Sequence, residues 1–245
     1  GCQDPFSEVA GRGIQKLRDA GREVTVGILE KECQSLIRRF ITFNTLHRPF
    51  ITLKWAESAD RFIDIGRTSG MPVMLSSPLT SMLVHKKRAE ADAIMVGRRT
   101  ALLDNPSLTV RNWYGHHPIR VVLDRTSSLP NDLQIFDGNV PTLVFTEKKQ
   151  PARTNITYIS IDFNHNPLEQ IMEVLYQRKI QSLLVEGGSQ LLQSFINDEL
   201  WDEAYIEKCP SRLHSGVKAP QMNNNFSYSI EEHFERQFWH YVHRI

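Results

Sequence analysis

Two hydrophobic rhythms alternate along this chain, one of period 3.6 and one of period 2 or continuous apolar character. Val9 to Gly21 has Ile14, Leu17 and Arg18 at helical spacing, with Gly21 placed to stop the helix. Glu23 to Gly27 (EVTVG) reads as a short strand, and Ile28 to His47 returns to the helical period through Cys33, Leu36, Ile37, Phe40 and Ile41. Residues 1–45 therefore predict a helix–strand–helix unit too small to bury its faces alone. From Pro49 the pattern changes. Pro49 to Ala56 is a strand, and SSPLTSMLVHKKRAEA is a helix with Ser77 as N-cap and Pro78 in its first turn. Ala91 to Val96 is an apolar strand of the kind covered on both faces, running into a short helix-like piece and the turn-forming DNPSLT. Further strands are predicted at Ile119–Asp124, Thr142–Phe145, Ile156–Ile161 and Ser182–Gly188, with helices at Pro167–Lys179 and over SQLLQSFIND. AYIEKCP and QFWHYVHRI read as late strands, the second antiparallel, while GMPVMLSSP and QMNNNFSYS are the loosest segments. Strands alternating with helices and then strands alone predict an α/β domain with a mixed sheet.

Three places in this pattern could carry chemistry. In LLVEGGSQLL a buried strand ends at Glu186, and Gly187 and Gly188 lead into a helix, so backbone N–H groups at a helix N-terminus are available to a phosphate. The alternative is a tight turn that simply needs glycine for positive φ. In DAIMVGRRTALLDNPSLTVR, Thr100, Asp104 and Arg111 flank a turn after a strand, and Arg88 precedes it. Asn105 and Pro106 are ordinary turn residues, whereas two guanidiniums near one loop suit a phosphate. In LKWAESAD, Ser58 and Asp60 either face a cleft or form an ordinary strand exit. His240 and His243, three apart on an expected strand, would point to opposite faces and make poor joint metal ligands, and His116-His117 reads as a solvated loop pair. The chain has no GxGxxG, no P-loop, no GxSxG elbow and no zinc deaminase signature, and no metal is expected.

Composition narrows the classes. The 245 residues suffice for one sizeable core; 40% hydrophobic and 23% charged residues are those of a globular protein. A net charge of +1 provides no global field for nucleic acid or membrane. No apolar run approaches the roughly 20 residues of a membrane span. Cys2, Cys33 and Cys209 lie far apart and form no CxxC pair, which fits a reducing cytoplasm. GCQDPFSEV lacks the basic and apolar regions of a signal peptide, and its abrupt start suggests either an extraneous Gly1 or a chain trimmed from something longer.

DPFSEVAGRGIQKLRDAG, RPFITLKWAESAD, LSSP, HKKRAEADAIMVG, TALLDNPSLTVR, PIRVVLD and SLLVEGGSQLL together resemble the bifunctional riboflavin biosynthesis deaminase–reductase family, in family order over nearly the whole chain. Residues 1–45 resemble the C-terminal remnant of its cytidine-deaminase-like domain, without the zinc and catalytic motifs, so no deaminase activity is expected. Residues 46–245 resemble its reductase domain. The resemblance implies a dihydrofolate-reductase-like α/β fold with a mixed, mostly parallel central sheet flanked by helices. It implies NADPH as hydride donor and 5-amino-6-(5-phosphoribosylamino)uracil as the phosphorylated substrate, reduced at the ribose C1′, with a homodimer as the assembly. Carried over, Ala56, Thr100, Asp104 and Gly187, Gly188, Ser189, Gln190, Leu191 and Leu192 are cofactor-side positions. Arg88, Leu108, Arg111 and Glu186 are substrate-side positions, the two arginines meeting the sugar phosphate, and Asp104 and Glu186 are the candidate catalytic carboxylates. Two departures stand out: the family's S-x-D-G reads Ser58-Ala59-Asp60-Arg61, and its Trp-Ile-Thr-Ser reads Met74-Leu75-Ser76-Ser77, with about two extra residues between them on a hand alignment. Two alternatives remain: another pteridine- or pyrimidine-type reductase on this fold, or a catalytically silent nucleotide-binding domain.

Overall fold

A computed structural model of the chain describes residues 1–6, 9, 11–151, 153–223 and 226–243. The chain divides into two compact units, Gly1–Phe50 with Met172–Gln181, and Ile51–Ile171 with Ser182–Ile245.

In the first unit, α1 (Arg12–Asp19) ends where the sequence predicts. Gly21 takes φ +71°, its N–H donates to the Arg18 carbonyl at 2.9 Å, and the Arg22 N–H reaches the Leu17 carbonyl at 3.0 Å. These are the two bonds that close a left-handed helix end. The expected strand at Glu23–Gly27 does not form: these residues are surface backbone, bonded only singly, as where the Gly27 N–H reaches the Gly1 carbonyl at 3.2 Å. A strand exists by its ladder, and among the described residues no strand pairs with this segment. The expected helix from Ile28 to His47 is two helices, α2 (Glu30–Leu36) and α3 (Arg38–Leu46). Ile37 lies between them at φ −105°, ψ 18°. Leu36, counted on the apolar stripe, is 86% exposed, so the stripe was never one buried face.

The second unit holds a nine-stranded sheet in the order β10-β11-β8-β1-β7-β3-β4-β5-β6. Its strands are β1 (Phe50–Ser58), β3 (Ala93–Gly97), β4 (Ile119–Leu123), β5 (Thr142–Thr146), β6 (Ile156–Ser160), β7 (Ser182–Gly187), β8 (Glu203–Cys209), β10 (Tyr228–His233) and β11 (Arg236–Val242). β8 runs parallel to β1, and β7, β3, β4, β5 and β6 run parallel in succession; β11 is antiparallel to both β8 and β10. The expected mixed, mostly parallel sheet is thus observed. Its helices are α4 (Pro78–Ala89), α5 (Arg98–Asp104) and α7 (Ser189–Asn197), with α6 (Pro167–Gln177) beginning here and ending in the first unit.

Three strands were not foreseen. β2 (Phe62–Asp64) and β9 (Val217–Lys218) form a separate two-stranded ribbon. β10 begins at Tyr228, inside the segment read as loose, so its last two residues are strand; Asn224 and Asn225 of that segment lie outside the described residues. All six residues of β10 are exposed, so its own pattern carries no burial signal; its hydrogen bonds come from β11 and Tyr228 stacks on Trp239 at 4.7 Å. The final strand stops at Val242, and Arg244 and Ile245 lie outside the described residues. His240 and His243 accordingly have different neighbours: His240 stacks on Tyr205, and His243, beyond the strand, stacks on Trp201.

Local chemistry sets the frame for a site. Ser77 caps α4 as predicted, its hydroxyl accepting from the Thr80 N–H at 3.1 Å while the Thr80 hydroxyl accepts from the Ser77 N–H at 2.9 Å. Such a cap is worth about 1 kcal/mol. Glu207, fully buried on β8, accepts from Ser76 at 2.5 Å and Thr80 at 2.7 Å, tying the start of α4 to the sheet. On one side of the sheet Ile94, Val96, Val122, Val144 and Leu184 pack with Ala101, Leu108 and Phe136.

Candidate functional site

A cleft of about 970 Å³ opens across the carboxyl ends of β1, β3 and β7. Open α/β sheets bind ligands at this end of their strands. Ala56, Thr100, Asp104, Glu186, Gly188, Ser189, Gln190, Leu191 and Leu192, all singled out from sequence, line it. Gly187 forms the turn beneath, at φ +132° in a region closed to side chains, and its bond to Gly188 is cis. A Cβ on Gly188 would come within 3.2 Å of the Thr100 hydroxyl, so glycine here lets the β7–α7 turn approach α5. No side chain caps α7, which leaves its first-turn N–H groups without a capping partner.

The floor is ionic. Arg88, from the last turn of α4, grips Glu186 at the end of β7 with both prongs, Nε to Oε1 at 2.8 Å and Nη2 to Oε2 at 2.6 Å. Both side chains are only 12% exposed. Burial alone would raise the Glu186 pKa, but Arg88, helped by Lys54 and His85, outweighs it and holds the carboxylate below its usual range. Burial would likewise lower Arg88, and Glu186 outweighs that and raises it. Lys54 lines the cleft beside them; burial pulls its ammonium down, against Glu186 and Glu207.

One wall comes from the segment where the chain departs from the pattern of the family it resembles. Arg67, 8% exposed, bonds Asp64 at 2.7 Å, the Gly70 carbonyl at 3.0 Å and the Leu103 carbonyl at 3.2 Å, and pairs with Asp104. Its own carbonyl accepts from Arg99 at 2.8 Å. Asp104 therefore faces the cleft already paired with a cation. Met74 lies on this wall, 76% exposed. Arg61 occupies its position at φ +65°, so the left-handed turn is kept with arginine where the family has glycine, and its guanidinium reaches the Pro220 carbonyl at 3.3 Å. Ser58 and Asp60 do not line this cleft. Asp60 accepts from Ser58 at 2.7 Å and from the Leu213 and His214 N–H groups at 3.1 and 2.7 Å, holding the turn after β1. The Ser58 hydrogen bond is the leading cause that takes its pKa to about 2.

A ledge from Asn105 to Arg111 follows Asp104; of the residues expected on the substrate side, Glu186 lines the cleft, whereas Arg88, Leu108 and Arg111 do not. Leu108 has φ +52° and is 2% exposed, its side chain in the core rather than in the cleft. Arg111 is exposed and donates to the Ser107 hydroxyl. The ledge backbone is held by side chains: Arg88 donates to the Thr109 carbonyl at 3.3 Å, His117 Nδ1 accepts from the Val110 N–H at 3.2 Å, and His85 Nδ1 accepts from the Arg111 N–H at 3.1 Å. The structure thus brings Arg88 and the Arg111 backbone to one imidazole, a proximity that sequence alone could only infer.

Sequence reasoning passed over Lys54, Arg67, His85 and the cations Arg98, Arg99, Arg125 and Lys218, which line the cleft beyond Thr100 and Ser189. Lys54 had a signal, a lone lysine in an apolar strand. Arg67 had none, because its partners lie up to 37 residues away. Among the described residues no group of three potential metal ligands is present, and no helix is long and apolar enough to cross a membrane.

A crevice at the carboxyl ends of parallel strands, with a Gly-Gly turn, an uncapped helix and a cationic lining, is that of an α/β protein. The model of the RibD C-terminal domain family matches residues 49–213, and the chain belongs to that family. It is 32% identical over 237 residues to the riboflavin biosynthesis protein RibD of Aquifex aeolicus, covering 94% of this chain and 64% of the relative. It is 36% identical over 223 residues to the Chlamydia pneumoniae protein of the same name, covering 86% and 59%. The chain thus spans less than two thirds of the length of these relatives. A Thermotoga maritima crystal structure, described as a diaminohydroxyphosphoribosylaminopyrimidine deaminase/5-amino-6-(5-phosphoribosylamino)uracil reductase, superposes with a TM-score of 0.87 at 30% identity, over 99% of this chain and 70% of that one.

Proposed function

We propose that this chain performs the NADPH-dependent reduction of 5-amino-6-(5-phosphoribosylamino)uracil to its ribitylamino product, by hydride transfer to the ribose C1′. The observation that carries this reading is what surrounds Glu186. It lines the cleft with the start of α7, Arg98, Arg99 and Arg125, and it is gripped from behind by Arg88, whose neighbour His85 holds the Arg111 backbone.

The close approach of Gly188 to Thr100 and the cationic lining suit a dinucleotide. Ala56, Thr100, Asp104 and residues 187–192 would hold it, with Arg98 and Arg125, now paired with Asp124 and Glu147, turning to the extra phosphate that separates NADPH from NADH. The bound nicotinamide would supply hydride. This chain's own residues supply position and charge: Arg111 and Arg88 face the sugar phosphate, and Glu186, kept ionised by Arg88, accepts hydrogen bonds from substrate N–H or hydroxyl groups. Remote phosphate binding orients the reacting carbon.

Residues 1–45 are proposed as the end of a deaminase-like domain and residues 46–245 as the reductase. The greater length of the relatives supports this, as do Ile28, Leu29 and Leu36, exposed in the first unit. Homodimerisation is supported by β10, an exposed edge strand carrying Tyr228 and Ile230. Three unpaired cysteines support a reducing, cytoplasmic setting.

The test is NADPH oxidation with this substrate by the parent, Arg111→Ala and Glu186→Gln. Turnover in the parent is expected, with the substrate KM of Arg111→Ala raised about 10- to 100-fold, as for loss of a charged hydrogen bond. A parent that binds no NADPH would overturn the reading.

A further inference from the structure

The ledge that carries Arg111 has no β-ladder around Thr109–Arg111, and the sequence reading assigned no role to the residue that holds its end. His85 is 3% exposed and sits on α4 three residues before Arg88, so both project from one face of the helix. Its Nδ1 accepts the Arg111 N–H at 3.1 Å. Only a neutral imidazole with its proton on Nε2 can accept at Nδ1. Burial, then Arg88, then Arg111 hold its pKa below 6.5, against Glu186 and a hydrogen bond to the Thr109 backbone, so the accepting form persists at neutral pH. The same helix therefore fixes both cations, Arg88 through its own backbone and Arg111 through a side-chain bond to the ledge.

We propose that His85 is a positioning residue for phosphate recognition: by holding the Arg111 amide beside Arg88, it sets where the Arg111 guanidinium meets the substrate's sugar phosphate. This rests on the phosphate role of the two arginines proposed above. His85 needs no contact with the substrate, and its buried ring, in direct contact with the ledge backbone, gives it none of the exposure a ligand contact requires.

The experiment compares His85→Ala and His85→Asn with the parent, reading KM for the phosphorylated substrate, KM for NADPH, and amide exchange at Arg111. Asn places a side-chain oxygen close to where Nδ1 lies. In His85→Ala the substrate KM should rise about 10-fold, the scale of one lost hydrogen bond, with NADPH KM unchanged and the Arg111 amide deprotected. His85→Asn should restore both readouts most of the way. An unchanged substrate KM in His85→Ala, an equal rise in the NADPH KM, or an Arg111 amide as protected as in the parent would each overturn the proposal. If the parent itself shows no turnover, the reductase reading fails; amide exchange still decides whether His85 holds Arg111, and intact protection in His85→Ala refutes it.

Discussion

Arg88 and Arg111 were read from the sequence as equivalent halves of one clamp, and the fold treats them in opposite ways. Arg88 is buried, bonded twice to Glu186 and once to the ledge. Arg111 is exposed, with its guanidinium on Ser107 and its backbone on His85. The floor is a fixed charge arrangement built before any ligand arrives; the ledge presents a cation that has little to lose by turning to a ligand. Desolvation makes the difference. A buried guanidinium must be paired, whereas an exposed one is paid for by water and stays available.

The largest effect should come from breaking the floor. Arg88→Met leaves Glu186 buried without its partner and should cost about 3–5 kcal/mol of stability, against less than about 0.5 kcal/mol for Arg111→Ala at the surface. The double variant Arg88→Met/Glu186→Leu should recover much of that loss, because no orphaned charge remains. Denaturant titration of the parent and the three variants decides it. A loss in Arg88→Met no larger than in Arg111→Ala would erase the distinction between the two regions.

A smaller effect should appear with pH. His85 has a folded pKa below 6.5, faced by Arg88 from its own helix, Arg111 from the ledge and Glu186 from β7. The unfolded chain therefore takes up a proton, as pH falls below about 6.5, that the folded chain resists. Stability should fall with pH through that window down to the folded pKa, and His85 should contribute nothing to the slope above it. His85→Asn, which cannot titrate, should flatten that part of the profile. Stability-versus-pH curves that coincide for parent and variant would show that the ledge is not held by a neutral imidazole.

How much of this was legible depends on how far each contact reaches along the chain. The cap of α4 lies in four consecutive residues, Ser77 to Thr80, and was read correctly from them. The buried parallel strands announced themselves by composition, and the Gly-Gly turn by its place after one. EVTVG had strand composition and no partner, so it forms no strand. β10 had a partner and no pattern, so it went unseen. Leu108 was named by resemblance for the ligand side, and its side chain lies in the core. His85 and Arg88 share a helix face by spacing alone, but the bond that gives His85 its interest spans 26 residues. Arg67 is the extreme case: a buried cation drawing on Asp64, Gly70, Leu103 and Asp104, none of which marks it in the sequence.

The finest contrast lies within the ledge itself, between two histidines making the same bond. His117 accepts from Val110 at 3.2 Å and His85 from Arg111 at 3.1 Å, so geometry alone would rank them equal. Their surroundings differ, since His117 is exposed and His85 is buried. Although Val110 is only 7% exposed, removing the exposed His117 ring opens its N–H to solvent, so water can take over as acceptor and the net value of the bond is small. His117→Ala should therefore change stability by no more than about 0.5 kcal/mol. His85→Ala also removes buried volume and an acceptor that water cannot readily replace, and should cost more, about 1–3 kcal/mol for the stranded donor. Thermal melts of the two variants under one buffer would show whether burial ranks these bonds. Equal losses would mean that water reaches the Arg111 amide as easily as the Val110 amide, and that the ledge is looser at its Arg111 end than its hydrogen bonds imply.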